Sequence, residues 1–323
     1  MGVSVSTVSR VLNGGKYVKT ELREKIEREI EALGYTPNHL ARSLVLQKTN
    51  LLGVIVTDIT ASFFATILSS VEAYASECNY NLLVCNIAEN LDKELRYLNV
   101  FKEMRVDGII LMHEGSNEAI QSFLKNLTIP VVLSSVTIKN SRFAMVNIDD
   151  TLAAYDAVSY LADLGHERIA LIGGDLKDWG TGQNRYQGYQ EALRDRSLPL
   201  RKEYIKFGNC KIQDGYRLMQ ELLECDPHPT AIFAVSDDMA TGALNCIIDH
   251  GLKVPDDFSV VGFDDSALAT SVRPRLTTVH QPISEIGKLS VDMLLKQING
   301  EAVSLREIIL NHHLVERESC RRL

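Results

Sequence analysis

Residues Leu51 to Asn86 read LLGVIVTDITASFFATILSSVEAYASECNYNLLVCN, and this stretch decides the fold. It opens on one apolar run, Leu51–Thr57, and closes on another, Asn81–Asn86. Neither keeps a strict apolar–polar alternation, which is how strands buried on both faces of a parallel sheet read. Between them Phe64–Cys78 sets Ile67, Leu68, Val71 and Ala75 on one stripe of a helix. Strand, helix and strand in this order form a right-handed crossover unit.

The alternation continues down the chain. Further strands are expected at Asp107–Met112, Pro130–Ser134, Ala144–Ile148, Arg168–Gly173, Glu203–Phe207, Thr230–Val235 and Phe258–Phe263. Amphipathic helices are expected at Thr151–Leu164, Gly182–Arg194, Asp214–Glu224, Asp237–His250 and Ile283–Asn299, followed by a strand-like run, Glu307–Val315. So many strands exceed one doubly wound lobe, and two α/β lobes are expected, with a ligand cleft between their carboxyl-edge loops.

The first fifty residues differ. Helices are expected at Thr7–Leu12 and Thr20–Leu33, the second with Leu22, Ile26, Ile30 and Leu33 on one stripe and Gly34 beyond its end. Asn13-Gly14-Gly15 separates the two, and Asn38 is placed to cap a further short helix, His39–Leu46. Eight basic and five acidic residues in 1–50, against 26 and 37 in the rest, give +3 and −11 within the net −8. A basic head on an acidic body suits a head that meets phosphate. In the segment Gly2 to Asn13, short polar groups and Arg10 open a helix whose Val8 and Val11 face inward. That arrangement suits a major groove as well as it suits an ordinary surface helix.

The wider pattern is more specific. Gly2-Val3-Ser4, Thr7-Val8-Ser9-Arg10-Val11-Leu12-Asn13, Leu33-Gly34-Tyr35-Thr36-Pro37-Asn38 and Ala41-Arg42-Ser43-Leu44 occur in order. Leu52-Gly53-Val54-Ile55, Asp107-Gly108-Ile109-Ile110, Ile129-Pro130-Val131-Val132 and Leu164-Gly165-His166 follow, then Arg185-Tyr186-Gln187-Gly188-Tyr189, Val261-Gly262-Phe263-Asp264 and Leu276-Thr277-Thr278-Val279-His280-Gln281-Pro282. Taken together these resemble the LacI/GalR family of transcriptional regulators over nearly the whole chain. The resemblance implies an α/β fold of two doubly wound parallel-sheet lobes, periplasmic-binding-protein-like, preceded by a small helical DNA-binding head. It implies a helix-turn-helix segment at 1–36, a hinge helix at 37–48 and an effector domain at 49–323. Lobe one would take about 49–148 and 281–305, and lobe two about 149–280 and 306–323. Met1 stands directly before Gly-Val-Ser, where the family carries a first helix, so a truncated head and weak, disordered or absent DNA binding are expected of the chain as written.

By the same resemblance Ser6 and Thr7 read bases, Arg10 reads a base or grips a phosphate, and Ser9 contacts phosphate or caps. Asn38, Arg42 and Leu44 belong to the hinge at the DNA, where Leu44 is either a minor-groove wedge or a packing residue. In the sensor, Phe63 and Phe64 suit stacking on a ring or simple core packing. Arg185 would fork onto hydroxyls or a carboxylate, and Asp264 would accept from hydroxyls. Asp237 is a ligand group or a helix cap. Ser236 and Ser135 stand where sugar-binding members often carry Asn and Asp. Trp179 covers the ligand or packs on the surface, and Glu114 lines the cleft. The expected function is a DNA-binding regulator, a repressor by the family's commoner role, whose operator affinity follows a sugar or sugar acid. A purine co-repressor sensor and a sensor without DNA binding are the alternatives. Partners are operator DNA, a small effector and a second copy in a cytoplasmic homodimer. No cofactor, metal or membrane contact is expected. The six scattered cysteines form no paired motif, and no catalytic motif such as G-x-S-x-G, a Walker loop or H-E-x-x-H occurs.

Overall fold

The computed structural model describes residues 2–12, 18–33, 48–88, 90–112, 118–136, 142–301 and 306–323. The chain divides into two compact units, Met1–Thr49 and Asn50–Leu323.

In the first unit, helix α1 spans Val5–Leu12 and α2 spans Thr20–Ala32. α1 begins two residues earlier than its sequence suggests because Ser4 caps it. The Thr7 amide donates to Ser4 Oγ at 3.2 Å, and the two hydroxyls lie 2.9 Å apart. α1 packs on α2, with Val11 and Ile26 buried. The expected helix at His39–Leu46 lies outside the described residues.

The second unit holds two sheets. The first is built from β1 (Leu51–Val56), α3 (Ser62–Glu77), β2 (Asn81–Asn86), α4 (Leu91–Glu103), β3 (Gly108–Met112), α5 (Glu118–Lys125), β4 (Val131–Ser134) and β5 (Ala144–Ile148). The chain then enters the second through α6 (Asp150–Asp163), β6 (Ile169–Gly173), a π-helical turn (Trp179–Asn184) and α7 (Arg185–Asp195). It continues through β7 (Ile205–Phe207), α8 (Ile212–Leu223), β8 (Ala231–Ala234), α9 (Asp237–Asp249), β9 (Ser259–Asp264), α10 (Ala267–Ser271) and β10 (Thr277–His280). Helix α11 (Ile283–Ile298) returns to the first lobe, packing on α3, β3, β4 and β5, before β11 (Glu307–Leu310) and β12 (His313–Val315).

Strand order is β11-β5-β4-β3-β1-β2 in the first sheet and β12-β10-β9-β8-β6-β7 in the second. Every pairing is parallel except β10 with β12. Thus the run Glu307–Val315 is two strands in different sheets, parted at Asn311-His312. Because β11 pairs with β5, the last crossing falls after Leu310 and not at 305/306. β10 escapes a reading by apolar runs because Thr277 and Thr278, both fully buried, interrupt it. The π turn replaces the start of the helix expected from Gly182.

Several motif residues position backbone. A Cβ on Gly188 would stand 2.2 Å from the Thr151 carbonyl oxygen, so glycine lets α7 lie on α6, while the Tyr189 hydroxyl donates to the Ile169 carbonyl at 2.9 Å. His166 is buried between the hydroxyls of Thr230 (3.0 Å) and Ser259 (2.9 Å), and burial lowers its pKa. Among the described residues no helix is long and apolar enough to cross a membrane.

Candidate ligand cleft

Residues that follow the carboxyl ends of strands in the two sheets come within reach of each other. After β1, Asp58 accepts from the Thr60 hydroxyl (2.7 Å) and amide (2.9 Å), bonds that hold its pKa below the usual carboxylate range, with Lys211 of the other lobe adding to the effect. Ser62, which opens α3, faces Asp238 at the start of α9, where its hydroxyl partly offsets the upward shift that burial gives that carboxyl.

Arg185 forms the floor on the second lobe. Its side chain is 5% exposed. Its Nε donates to Asp150 Oδ1 at 2.8 Å, and Nη2 reaches the same oxygen at 2.8 Å. Nη1 donates to the Val235 carbonyl and lies 3.8 Å from Asp264 Oδ1. The guanidinium carbon rests 3.6 Å from the centroid of the Phe263 ring. The π turn, capped by Asp178 through the Thr181 amide (3.1 Å), delivers Arg185 to this place.

The V-G-F-D motif on β9 now has a physical reading. A Cβ on Gly262 would meet Asp237 Oδ1 at 2.5 Å. Phe263 lies under the guanidinium. Asp264, with φ 112°, ends the strand and accepts from Gln281 Nε2 at 2.8 Å. Burial drives the Asp264 carboxyl well above its ordinary pKa; Arg185 opposes the shift and Asp237 adds to it. Burial likewise raises Asp150, against the pull of Arg185, and raises Asp237 to about 7.

Both carboxylate oxygens of Asp237 have partners within the second lobe. Its Oδ1 accepts from the Thr278 hydroxyl (2.6 Å) and its Oδ2 from the Ser266 amide (2.7 Å), tying α9 to β10 and to the loop before α10. The helix cap is its neighbour Ser236, whose hydroxyl accepts the Met239 amide at 3.2 Å. Phe63 and Phe64 stand half-buried at the start of α3, edge to face with centroids 5.4 Å apart. Ser135 follows β4 with φ 56°, and Trp179 is half-buried in the π turn. Thr7 and Arg10 lie on α1, Arg10 exposed and the Thr7 hydroxyl shared with Ser4; Ser6 and Ser9 belong to the same helix. Glu114, Asn38, Arg42 and Leu44 fall outside the described residues.

Asp150, Phe263 and Gln281 join this site without having been singled out from sequence as ligand-site residues. The acidic pair Asp149-Asp150 directly after the strand Ala144–Ile148 is the signal that was there to read.

Residues 158–320 match the periplasmic binding protein-like domain, and residues 1–38 match the bacterial regulatory proteins of the lacI family. Catabolite control protein A of Priestia megaterium is 40% identical over 317 residues, covering 98% of this chain and 96% of the relative. The lac repressor dimer bound to operator and an anti-inducer superposes with TM-score 0.90 at 27% identity, covering 99% of this chain and 96% of that one. The transcriptional regulator CelR in its cellobiose complex superposes with TM-score 0.77 at 30% identity, covering 98% and 96%. Likeness of this degree over the full length, together with the buried arginine–carboxylate floor between two parallel-sheet lobes, means that the chain belongs to the lacI family of bacterial regulatory proteins.

Proposed function

We propose that this protein is a DNA-binding transcriptional repressor whose affinity for its operator is set by a small hydroxylated metabolite, a sugar or sugar acid, held between its two lobes. The observation that carries the reading is the combination in one chain of a segment matching the lacI DNA-binding family with a two-lobed unit whose facing edges carry Arg185, Asp150 and Asp264. Residues 1–36 form the reading head, 37–48 the hinge and 49–323 the sensor. Ser6, Thr7, Ser9 and Arg10 meet the major groove, and Asn38, Arg42 and Leu44 meet the DNA at the hinge. Phe63, Phe64, Ser135, Trp179, Arg185 and Asp264 line the effector site, Glu114, Ser236 and Asp237 being the other residues assigned to it from sequence, in a homodimer on a pseudo-palindromic site.

Effector binding changes DNA affinity only so far as the open and closed lobe arrangements bind the effector differently. The attraction of Lys211 for Asp58 and the bond of Ser62 with Asp238 are the cross-lobe interactions that opening would weaken. The test is selection of genomic fragments by the full chain, footprinting of the winners, and titration with a sugar panel. A protected palindrome whose occupancy one sugar shifts supports the reading. A chain that selects no fragment above background, with or without sugars, overturns it.

A further inference from the structure

The chemistry of the floor specifies what it accepts. A guanidinium has five N–H donors, and it grips a carboxylate or phosphate through two of them side by side. In Arg185 the Nε and Nη2 edge is already on Asp150, and the other edge gives Nη1 to the Val235 carbonyl. No two-donor edge stands open for an incoming anion. Among the described residues, the carboxylate and amide oxygens of the floor that are left without a hydrogen bond are acceptors. Asp150 Oδ2 and Asp264 Oδ2 receive no hydrogen bond from a described residue, and Gln281 Oε1 is buried without a partner while Nε2 of the same amide is on Asp264. Asp178 and Asp149 add negative charge beside Asp150, and Asp238 does so beside Asp264. An acceptor-only anion would find acceptors facing it, whereas a hydroxyl or ammonium group would find partners.

We propose that the cleft selects its effector by charge, taking neutral or cationic molecules that donate hydrogen bonds, polyols above all, and rejecting carboxylates and phosphates, and that Asp150 enforces this by occupying the fork of Arg185. This rests on the cleft being the effector site and narrows the effector to the uncharged side of the sugar class. Asp150 is here a specificity residue: an uncharged side chain in its place holds the fork less strongly, so that an anion can take it.

Trp179 is the chain's single tryptophan and lies in the turn that leads to Arg185, so its fluorescence reports the floor directly. The full-length protein is titrated with inorganic phosphate and with gluconate, using chloride at matched ionic strength as control, in the wild type, Asp150→Asn and the Asp150→Asn/Arg185→Gln double variant. The wild type should show no saturable change. Asp150→Asn should bind at least tenfold more tightly than any wild-type response, and the double variant should lose that binding. Asp150→Ser replaces Asn if the latter fails to fold. Saturable anion binding by the wild type that Arg185→Gln abolishes overturns the proposal, as does a folded Asp150 variant that gains none. These outcomes do not depend on DNA. A sensor that released its operator to no sugar would sink the functional reading while leaving the anion result standing.

Discussion

The two lobes share a topology and differ at the edges that face each other. The second lobe ends in a tied network in which Arg185, Asp150, Asp264 and Gln281 meet at the floor, and Asp237, Thr278 and Ser266 lock the strands behind it. The described edge of the first lobe offers the ring pair Phe63 and Phe64, the short Asp58–Thr60 turn and Ser135. Charged groups buried among partners hold fixed positions, whereas half-buried rings and exposed loops adjust. On the proposed reading, the second lobe supplies the template and the first supplies the cover that closes on it.

The largest test of that contrast removes the guanidinium. Arg185→Met keeps much of the volume but leaves Asp150 and Asp264 buried without a cation, which costs about 3–5 kcal/mol by comparison with other broken buried pairs. Urea denaturation should show that loss. Phe63→Leu on the first lobe should cost less than half as much. Equal losses would show that the two edges are alike.

Proton linkage tests the same network. Asp237 titrates in the folded chain at about 7, and Asp264 and Asp150 also lie above their ordinary values, in each case chiefly through burial. Near neutrality the folded protein therefore holds a proton on Asp237 that the unfolded chain has released. The Asp237 contribution to stability is full below the unfolded value of about 4 and is lost as pH rises through about 7. Buried His166 acts in the opposite sense, because its lowered pKa removes stability as pH falls below about 6.5. The urea midpoint of the wild type should fall between pH 6.5 and 8, and Asp237→Asn should shrink that fall. An unchanged slope in the variant would mean that Asp237 does not carry it.

Helix packing gives a smaller effect. In the second lobe a Cβ on Gly188 meets backbone, the Thr151 carbonyl, and one on Gly215 meets the Met239 carbonyl at 2.1 Å. In the first lobe the atoms nearest a Cβ on Gly53 belong to the Phe101 ring, the first at 2.5 Å. Backbone cannot swing aside, so Gly188→Ala should cost about 1–3 kcal/mol, by analogy with overpacked cores. Gly53→Ala should cost less if the ring can turn. A reversed order in thermal melts would place the stiffer packing in the first lobe.

How far the sequence shows all this depends on what holds each element. Ala144–Ile148 and Asn81–Asn86 have the same bounds in sequence and structure because side-chain type alone marks them. β10 is hidden because Thr277 and Thr278 are buried by satisfying polar partners: the Asp237 carboxylate for one and the backbone of Arg317 for the other. Arg185 and Asp264 stand out in their motifs. Asp150 does not, since nothing local separates it from Asp149. Asp149 caps α6 through the Leu152 amide, and only the close approach of α7 at Gly188 brings Arg185 to Asp150. The helix cap falls to Ser236 and not to Asp237 for a similar reason, because the partner that claims Asp237 lies on a strand 41 residues away.

The finest comparison uses one hydroxyl from each lobe. Tyr189 on the second lobe is fully buried, and its hydroxyl has one described partner, the Ile169 carbonyl. Tyr189→Phe removes the donor without changing the ring and should cost about 1 kcal/mol. Ser134 on the first lobe is as deeply buried and meets Ser290, but the Ser290 hydroxyl also reaches the Ile286 carbonyl at 2.7 Å. Since Ser290 has one proton and keeps that acceptor, Ser134→Ala leaves no donor stranded and should cost well under the tyrosine change. Urea midpoints of the two variants measured side by side decide this. A larger loss at Ser134 would mean that the first lobe's interior depends on its hydroxyl pair as the second depends on its own polar ties, and the division into template and cover would then rest on the facing edges alone.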